Sequence, residues 1–372
     1  MMIYGSLVLK YSFYAVIIIQ LFYYLYFFRR LSFFKPTDKI NTQTHPVSLV
    51  ICARDEAPNL VKNLPGSLAQ KYSTTHEIIV VNDNSLDESK YVLEAFYKKF
   101  KQLKIVELKQ EAQFIPGKKF PLSVGIKTAK YETLLLTDAD CIPASEFWMQ
   151  KMQAGYGEET EIVLGYGPLN KRKGFLNKLI RWETFHTALQ YLSYSCAGFT
   201  YMGVGRNLSY KKSVFFRHKG FSAHNNIQSG DDDLFINMAA NKRNTAIVID
   251  KDAFAFSDPP LTWKQWIKQK KRHYSTGKYY KPLYKFLLGT YSLTHFILYP
   301  LFVYCLFISG WKVAIGLFSI RFLIQIVIMY RSMDKLGEKD LFLYFLVFDI
   351  WMFFYYLIFS FSLFKKPSRS WK

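Results

Sequence analysis

Cysteines and acidic residues are both scarce in this chain of 372 residues. The four cysteines (Cys52, Cys141, Cys196 and Cys305) are scattered without the paired spacing of a metal site, and they are typical of reduced thiols in a protein that faces the cytosol. The 28 acidic residues stand against 49 lysines and arginines, which leaves a formal net charge of +21. A balance this basic predicts an anionic partner.

The sequence also lacks internal repeats, a low-complexity basic arm and a recognisable nucleic-acid motif. No nucleic-acid partner is therefore expected, and an anionic membrane surface or a phosphate-bearing substrate is favoured. Half of the residues are hydrophobic and 18% are aromatic. This composition indicates membrane segments, so the sequence predicts a membrane protein with a phosphate-bearing partner.

Four apolar runs are candidates for these segments. The first, residues 11–28, has no small-residue cleavage site and is followed by Arg29 and Arg30, which predicts an uncleaved anchor with cytoplasmic chain after it. The others are residues 287–310, 313–330 and 341–364; Arg321 and Asp349 within them should face a bundle interior and are candidates for pairing with each other. If all three C-terminal runs crossed the membrane, the basic tail would lie on the non-cytoplasmic side, against the usual preference of basic residues. We therefore expect one of the three to be interfacial or re-entrant.

The middle of the chain has the character of a globular α/β domain. Residues 47–53 and 77–81 are typical of buried strands, and residues 59–70 and 88–100 of helices. Strands that alternate with helices predict a parallel sheet. We therefore expect an N-terminal anchor in residues 1–34, a cytoplasmic domain in 35–285, and membrane-associated helices with a basic tail in 286–372.

One apolar run, residues 134–136, stops at two carboxylates, Asp138 and Asp140. Ligands of open α/β sheets bind outside the carboxyl ends of the strands, and side chains two residues apart on an extended strand point the same way. The pair could thus hold one divalent cation against a diphosphate, although a pair of solvated loop acids is the alternative.

Polar residues also follow the first two strands. At the first strand end, backbone amides and side chains could hold a nucleotide base and ribose; the residues concerned are Ala53, Arg54 and Glu56. The alternative is that these polar residues only cap the next helix. Asp83 could accept hydrogen bonds from a pyrimidine or a ribose hydroxyl, although turns rich in Asn, Asp and Ser are common without any ligand.

Two further stretches suggest charge-based chemistry. Lys118 follows a glycine just before a predicted helix, where phosphate binds well, and a solvated basic turn is the alternative. Asp231, Asp232 and Asp233 precede an apolar helix, where acids are stabilising in their own right. Three crowded carboxylates also raise one another's pKa, which makes one of them a better proton acceptor.

Taken in order, these motifs resemble those of the family 2 glycosyltransferases over residues 47–277. They are Ala-Arg-Asp-Glu and Asn-Asp-Asn-Ser after strands, a Gly-Lys turn, and a strand that ends in Thr-Asp-Ala-Asp. The resemblance implies a GT-A nucleotide-sugar-binding fold with a mostly parallel central sheet and flanking transmembrane helices. It also implies inverting, metal-dependent (Mg²⁺ or Mn²⁺) transfer of a hexosyl or N-acetylhexosaminyl group to a glycolipid or envelope-polysaccharide hydroxyl.

The resemblance also implies residue roles. In the family's Glu-Asp-x-Asp-Leu pattern, the first Asp takes the acceptor proton, and Asp231 aligns with it. Gly230 stands in place of the preceding Glu, and this departure leaves Asp232 as the alternative base. Asp138 and Asp140 would hold the metal. Lys118 and Arg206, the latter in a glycine-rich acceptor-side loop, would add positive charge toward the diphosphate.

A basic and aromatic stretch near the end of the domain resembles the family's Gln-x-x-Arg-Trp motif. Gln269 and Arg272 match it, while His273 stands in place of Trp, which weakens the case for processive extension. By itself the stretch predicts a helix at an anionic membrane surface.

Two other functions fit parts of the sequence. A non-enzymatic scaffold that binds anionic lipid would explain the lysines and anchors, and a nucleotidyltransferase would use a similar sheet and metal pair. The transferase remains our main hypothesis, with a nucleoside diphosphate sugar and a membrane-associated acceptor as partners at the cell (inner) membrane.

Overall fold

The computed structural model describes residues 2–36, 45–109, 117–227, 229–308 and 310–361. The strands, in chain order, are β1 (Val47–Ala53), β2 (His76–Asp83), β3 (Leu103–Leu108), β4 (Thr133–Asp138), β5 (Cys141–Pro143), β6 (Ile162–Gly165), β7 (Leu208–Lys211), β8 (Thr245–Val248) and β9 (Ala255–Ser257). The helices are α1 (Met2–Phe22), α2 (Arg29–Ser32), α3 (Ala57–Leu68), α4 (Ser89–Tyr97), α5 (Lys119–Thr128), α6 (Trp148–Gln153), α7 (Phe175–Cys196), α8 (Lys212–Arg217), α9 (Asp233–Ala239), α10 (Trp263–Tyr274), α11 (Pro282–Leu306), α12 (Trp311–Lys335) and α13 (Phe345–Ser360). A π-helical segment, Tyr23–Phe28, joins α1 to α2 in one continuous helix.

Seven strands form the main sheet in the order β3-β2-β1-β4-β7-β6-β8. β1 is parallel to β2 and β4, whereas β7 is antiparallel to both of its neighbours. All seven residues of β1 are buried, as expected for a strand covered on both faces. The predicted α/β class and mostly parallel sheet are confirmed. The strands lie within the predicted domain of residues 35–285, whose bounds stay a prediction.

Helix α5 packs unusually close to this sheet at Gly125. A Cβ atom there would lie 2.6 Å from Val50 and 2.9 Å from Val81, distances that no side chain could accept. The glycine therefore lets α5 approach β1 and β2. This approach places the start of α5 over the carboxyl ends of the strands.

Within the described residues, four helical segments are long and apolar enough to cross a membrane by length and composition: Gly5–Ser32, Pro282–Leu306, Trp311–Lys335 and Lys339–Phe359. They correspond to the four predicted apolar runs, and the predicted basic tail lies outside the described residues. Phe13 of α1, Leu298 and Cys305 of α11 and Ala314 of α12 form a separate apolar cluster. The middle of α1, the end of α11 and the start of α12 thus pack on one another.

Helix α13 behaves differently, because it contacts the sheet domain near both of its ends. The ring of Phe348 lies 5.4 Å from that of Trp182 in α7, and the ring of Phe359 lies 5.6 Å from that of Trp266 in α10. The expectation that one C-terminal segment lies along the membrane surface is therefore consistent with these contacts, although its topology stays a prediction.

The two charges within the predicted membrane segments meet, as the sequence suggested. Arg321 of α12 lies 3.7 Å from the carboxylate of Asp349 in α13, and both side chains are buried. The amide of Gln325 donates a hydrogen bond to the same carboxylate at 2.6 Å, and Arg321 reaches Gln20 of α1 at 3.3 Å. The hydroxyl of Tyr299 in α11 also donates to Asp349, so the pair is the centre of a polar network that joins four helices.

Candidate active site

A cavity of about 1280 Å³ opens at the carboxyl ends of β1 and β4. The predicted site residues that line it are Arg54, Glu56, Lys118, Asp138, Asp140, Arg206, Asp231, Asp232, Gln269, Arg272 and His273. They come from stretches far apart in the chain, and the sheet and the helices around it bring them together. One cavity therefore holds the two carboxylates at the end of β4, the acids that precede α9 and the cationic end of α10.

Asp138 and Asp140 converge as the strand geometry predicts. One ligand atom each from Asp138, Asp140 and Cys141 lies within 4.8 Å of the others. Burial and the neighbouring carboxylates raise the pKa of the Cys141 thiol well above its ordinary value, so it stays protonated. The donors are thus two carboxylates, and this oxygen set fits Mg²⁺ or Mn²⁺ better than a soft metal.

The two carboxylates differ in their electrostatic surroundings. Burial opposes ionisation of Asp138, but its ion pair with Lys118 holds its pKa below the ordinary value. Desolvation by the cavity walls, together with the adjacent Asp138, raises the pKa of Asp140 to about 6. Both groups are ionised at neutral pH and can serve as cation ligands.

The two lysines of the Gly-Lys-Lys turn face in different directions. The ammonium of Lys118 contacts the carboxylate of Asp138 and lies 4.0 Å from that of Asp231. Lys119 is fully buried and donates hydrogen bonds to the backbone carbonyls of His224 and Ile227, both at 2.6 Å. Lys118 therefore belongs to the cavity, whereas Lys119 fastens the segment that leads to the acids.

The three consecutive acids also have separate surroundings. Asp232 accepts hydrogen bonds from the backbone N–H groups of Gly205 and Asp233, at 2.8 and 2.7 Å. Asp233 accepts from the hydroxyls of Thr276 and Tyr280. Burial, followed by the charges of its two acidic neighbours, raises the pKa of Asp232 to about 8.

Capping explains part of what the sequence suggested at the first two strand ends. Asp87 accepts hydrogen bonds from the backbone N–H groups of Ala57 and Ser89, at 2.9 and 3.0 Å. Ala53 and Asp83 are buried, and neither is among the described residues that line the cavity. Asp83 reaches it indirectly, because its carboxylate lies 3.7 Å from the guanidinium of Arg54.

The glycine-rich loop before β7 has a structural role and also positions the side chain of Arg206. A Cβ at Gly203 would lie 3.0 Å from Leu208, so this glycine serves packing rather than sugar approach. The buried Asn207 donates to the backbone carbonyls of Tyr166 and Ala253, at 2.8 and 2.7 Å. The guanidinium of Arg206 next to it lines the cavity.

Helix α10 forms one wall of the cavity and starts at a capping box formed by Thr262 and Gln265. Desolvation, then the nearby cations, lowers the pKa of His273 well below its ordinary value, so its ring is neutral at pH 7. Lys270 forms a buried ion pair with Glu183 of α7. The sequence analysis missed this pair, although an acid within a long apolar helix signals a need for a buried partner.

Comparisons with known proteins agree with this geometry. Residues 48–219 match the model of the family "Glycosyl transferase family 2". A curated relative, "Probable glycosyltransferase YdaM" of Bacillus subtilis (strain 168), is 25% identical over 279 residues, which cover 71% of this chain and 63% of the relative. The chain thus spans less than two thirds of that relative.

A solved structure, "Mannosyltransferase PcManGT from Pyrobaculum calidifontis in complex with GDP-Man and Mn2+", is similar with a TM-score of 0.56. The identity is 17%, and the match covers 93% of this chain and 98% of that chain. At this identity the likeness shows the fold.

Proposed function

We propose that the chain moves a sugar from a nucleoside diphosphate sugar to a hydroxyl of a membrane-associated acceptor. The proposal starts from the match of residues 48–219 to the model of glycosyltransferase family 2 and from the GT-A fold. The sugar is a hexose or an N-acetylhexosamine, and its anomeric configuration inverts. The acceptor is a glycolipid or an envelope polysaccharide.

One observation carries the proposal. Lys118 contacts Asp138 and lies 4.0 Å from Asp231, so the acids suited to a cation and diphosphate stand beside the candidate base. A transferase needs the diphosphate site on one side of the sugar ring and the base on the other. A scaffold that binds lipid would have no use for this arrangement.

Asp138 and Asp140 would hold Mg²⁺ or Mn²⁺. When bound, the ion neutralises the charge that develops on the departing diphosphate. The similar mannosyltransferase was solved with GDP-Man and Mn²⁺, which supports a cation and a nucleoside diphosphate sugar here.

The remaining site residues have roles along the donor. Lys118, Arg206 and Arg272 supply positive charge to the diphosphate. At the other end of the cavity, Arg54 and Glu56 are suited to the nucleoside, with Ala53 and Asp83 supporting them from behind. Gln269 and His273 would contact the donor and the acceptor side.

Asp231 is the better candidate for the base. The pKa of Asp232 is raised to about 8, so at neutral pH it carries a proton and cannot accept another. Asp231 takes the acceptor proton as the hydroxyl oxygen bonds to the anomeric carbon. The bond from that carbon to the diphosphate oxygen breaks on the opposite face, and the nucleoside diphosphate leaves.

We further propose that the chain is a multi-pass protein of the cell (inner) membrane with its sheet domain in the cytoplasm. Arg29 and Arg30 end the first apolar helix, and such residues favour the cytoplasmic side. The contacts at both ends of α13 favour a position along the boundary between membrane and domain, so that α1, α11 and α12 cross.

The deciding experiment is product analysis with membranes that contain the protein and a panel of nucleotide sugars. A transferase releases a nucleoside diphosphate and a glycosylated acceptor. Release of pyrophosphate would select a nucleotidyltransferase instead. If no nucleotide sugar is consumed and no nucleotide shifts the melting temperature, the lipid-binding scaffold is favoured.

A further inference from the structure

The cavity extends well beyond the carboxylates, into the membrane helices. Its volume of about 1280 Å³ exceeds the 300–1,000 Å³ that is usual for a small-molecule site. The extra space is bordered by α11 and by the end of α13, both within candidate membrane spans. A donor sugar nucleotide therefore leaves room for a second molecule at this side.

One face of α11 lines the extension. It consists of Lys285, Leu288, Gly289, Ser292, Leu293 and Phe296, whose spacing places them on a single helix face. The face is apolar apart from Ser292 and the lysine at the domain end, and it spans about 16 Å at the helical rise. Leu293 is 60% exposed, and a Cβ at Gly289 would meet nothing within 4 Å, so the face is open.

Helix α13 forms the other side and closes the far end. Tyr356 and Leu357 line the cavity, and Leu357 is 45% exposed. The rings of Phe296 and Phe353 stack with centroids 4.5 Å apart, which joins the two helices beyond the opening. We name the space between α11 and α13, from Lys285 to Phe296, the lateral groove.

The domain end of the lateral groove is cationic and lies near the acids. Lys278 and Lys285 both line the cavity, and the ammonium of Lys285 donates to the Lys278 carbonyl at 3.4 Å. Asp233 accepts hydrogen bonds from Thr276 and Tyr280, on either side of Lys278. The segment with Lys278 is thus fastened to the start of α9, beside Asp231.

We propose that the acceptor is a phosphate-bearing lipid, with its hydrocarbon chain in the lateral groove and its phosphate beside Lys278 and Lys285. An apolar groove between α11 and α13, at the boundary between membrane and domain, suits a hydrocarbon chain. The two ammonium groups at its domain end suit an anionic headgroup. A free polysaccharide would leave the apolar face unfilled. The proposal rests on the proposed transferase function and names the class of its acceptor.

The test uses the full-length protein in nanodiscs of phosphatidylcholine that contain a photoactivatable phosphatidylglycerol with a diazirine in its acyl chain. We expect the label on α11 and α13 near Gly289 and Leu357. Gly289→Leu should reduce labelling at least fivefold because its side chain fills the groove. The matched control is Gly316→Leu on α12, where a Cβ also meets nothing within 4 Å, and it should label like the wild type.

The phosphate is tested with a diacylglycerol that carries the same diazirine chain. It should label the groove several times more weakly than phosphatidylglycerol. Lys285→Gln should remove most of this preference, whereas Lys312→Gln, at the start of α12, should not. Equal labelling by the two lipids would overturn the headgroup assignment. Labelling spread over all helices and unchanged in Gly289→Leu would show annular lipid only and overturn the groove.

Donor binding separates this proposal from the transferase function. Gly289→Leu should retain the thermal shift caused by nucleoside diphosphate with Mn²⁺, but its yield of lipid-extractable product should fall at least tenfold. Leu293→Trp is a second variant with the same expected result, for use if Gly289→Leu does not fold. An unchanged yield of lipid product in both variants would contradict the proposed lipid site in the lateral groove but not the transferase function. If no variant or wild-type protein consumes a nucleotide sugar while groove labelling persists, the transferase function fails instead.

Discussion

The ammonium group of Lys118 lies 4.0 Å from the carboxylate of Asp231. The same ammonium contacts Asp138, so the single cationic group of Lys118 connects the acid at the end of β4 with an acid just before α9. These carboxylates would repel each other without it. The arrangement places the proposed base next to the proposed diphosphate site.

Replacing the proposed base separates chemistry from binding. Asp231→Asn should lower sugar transfer about 100- to 10,000-fold, the usual contribution of a general base. The affinity for nucleoside diphosphate should stay within about threefold, measured by calorimetry, because the amide still fills the same space. Asp232→Asn should retain more activity, and wild-type activity in Asp231→Asn would make the assignment wrong.

Metal binding is tested at Asp138 and Asp140. Asp138→Asn and Asp140→Asn should each weaken the binding of UDP or GDP in the presence of Mn²⁺ by about tenfold or more, because the site would no longer hold a cation that offsets the diphosphate charge. Calorimetry with and without EDTA measures this effect. Asp252→Asn, at an exposed acid, is the control, and equal affinity with and without EDTA in the wild type would contradict the site.

The pH dependence of stability tests the surroundings of Asp232. Its pKa is raised from 3.8 to about 8, so between these values the folded protein holds a proton that the unfolded chain releases. The free energy of unfolding should therefore fall as pH rises through this window, by at most about 1.4 kcal/mol per pH unit.

Asp232→Asn lacks this proton. Its stability relative to the wild type should increase from pH 5 to pH 7.5, measured by denaturation in detergent micelles without nucleotide. A difference between the two proteins that is the same at both pH values would contradict the raised pKa.

The buried pair of Arg321 and Asp349 should matter for assembly of the helices. Asp349→Ala leaves a buried guanidinium without its partner and should destabilise the protein by about 3 kcal/mol. Arg321→Met combined with Asp349→Leu removes both charges and should recover most of the loss. Melting temperatures in detergent measure both, and a double variant as unstable as the sum of the singles would contradict the pairing.

Much of the sheet could be predicted because its signals are local. β1 has the predicted bounds since a run of buried residues ends where the charged loop begins. Asp138 and Asp140 were found for the same reason, as acids directly after an apolar run. The predicted helices shifted by a few residues; α3 starts earlier because its first turn accommodates Pro58.

Other features depend on contacts that no local pattern shows. Consecutive residues at the start of a helix point about 100° apart, and which of Lys118 and Lys119 faces the acids depends on how Gly125 seats α5 against the sheet. The Glu183–Lys270 pair joins helices far apart in the chain. Likewise, the contacts of α13 with α7 and α10 follow from the tertiary arrangement, although the charge of the tail already suggested an unusual segment.

The wall that α11 and α13 contribute to the cavity has a practical consequence. A truncated fragment that stops before Pro282 would be more soluble but would lack one wall of the cavity. The proposed acceptor would then have no binding surface. Such a fragment would be expected to report donor hydrolysis by water. The hydrophobic helices are therefore part of the cavity wall and not a detachable tether.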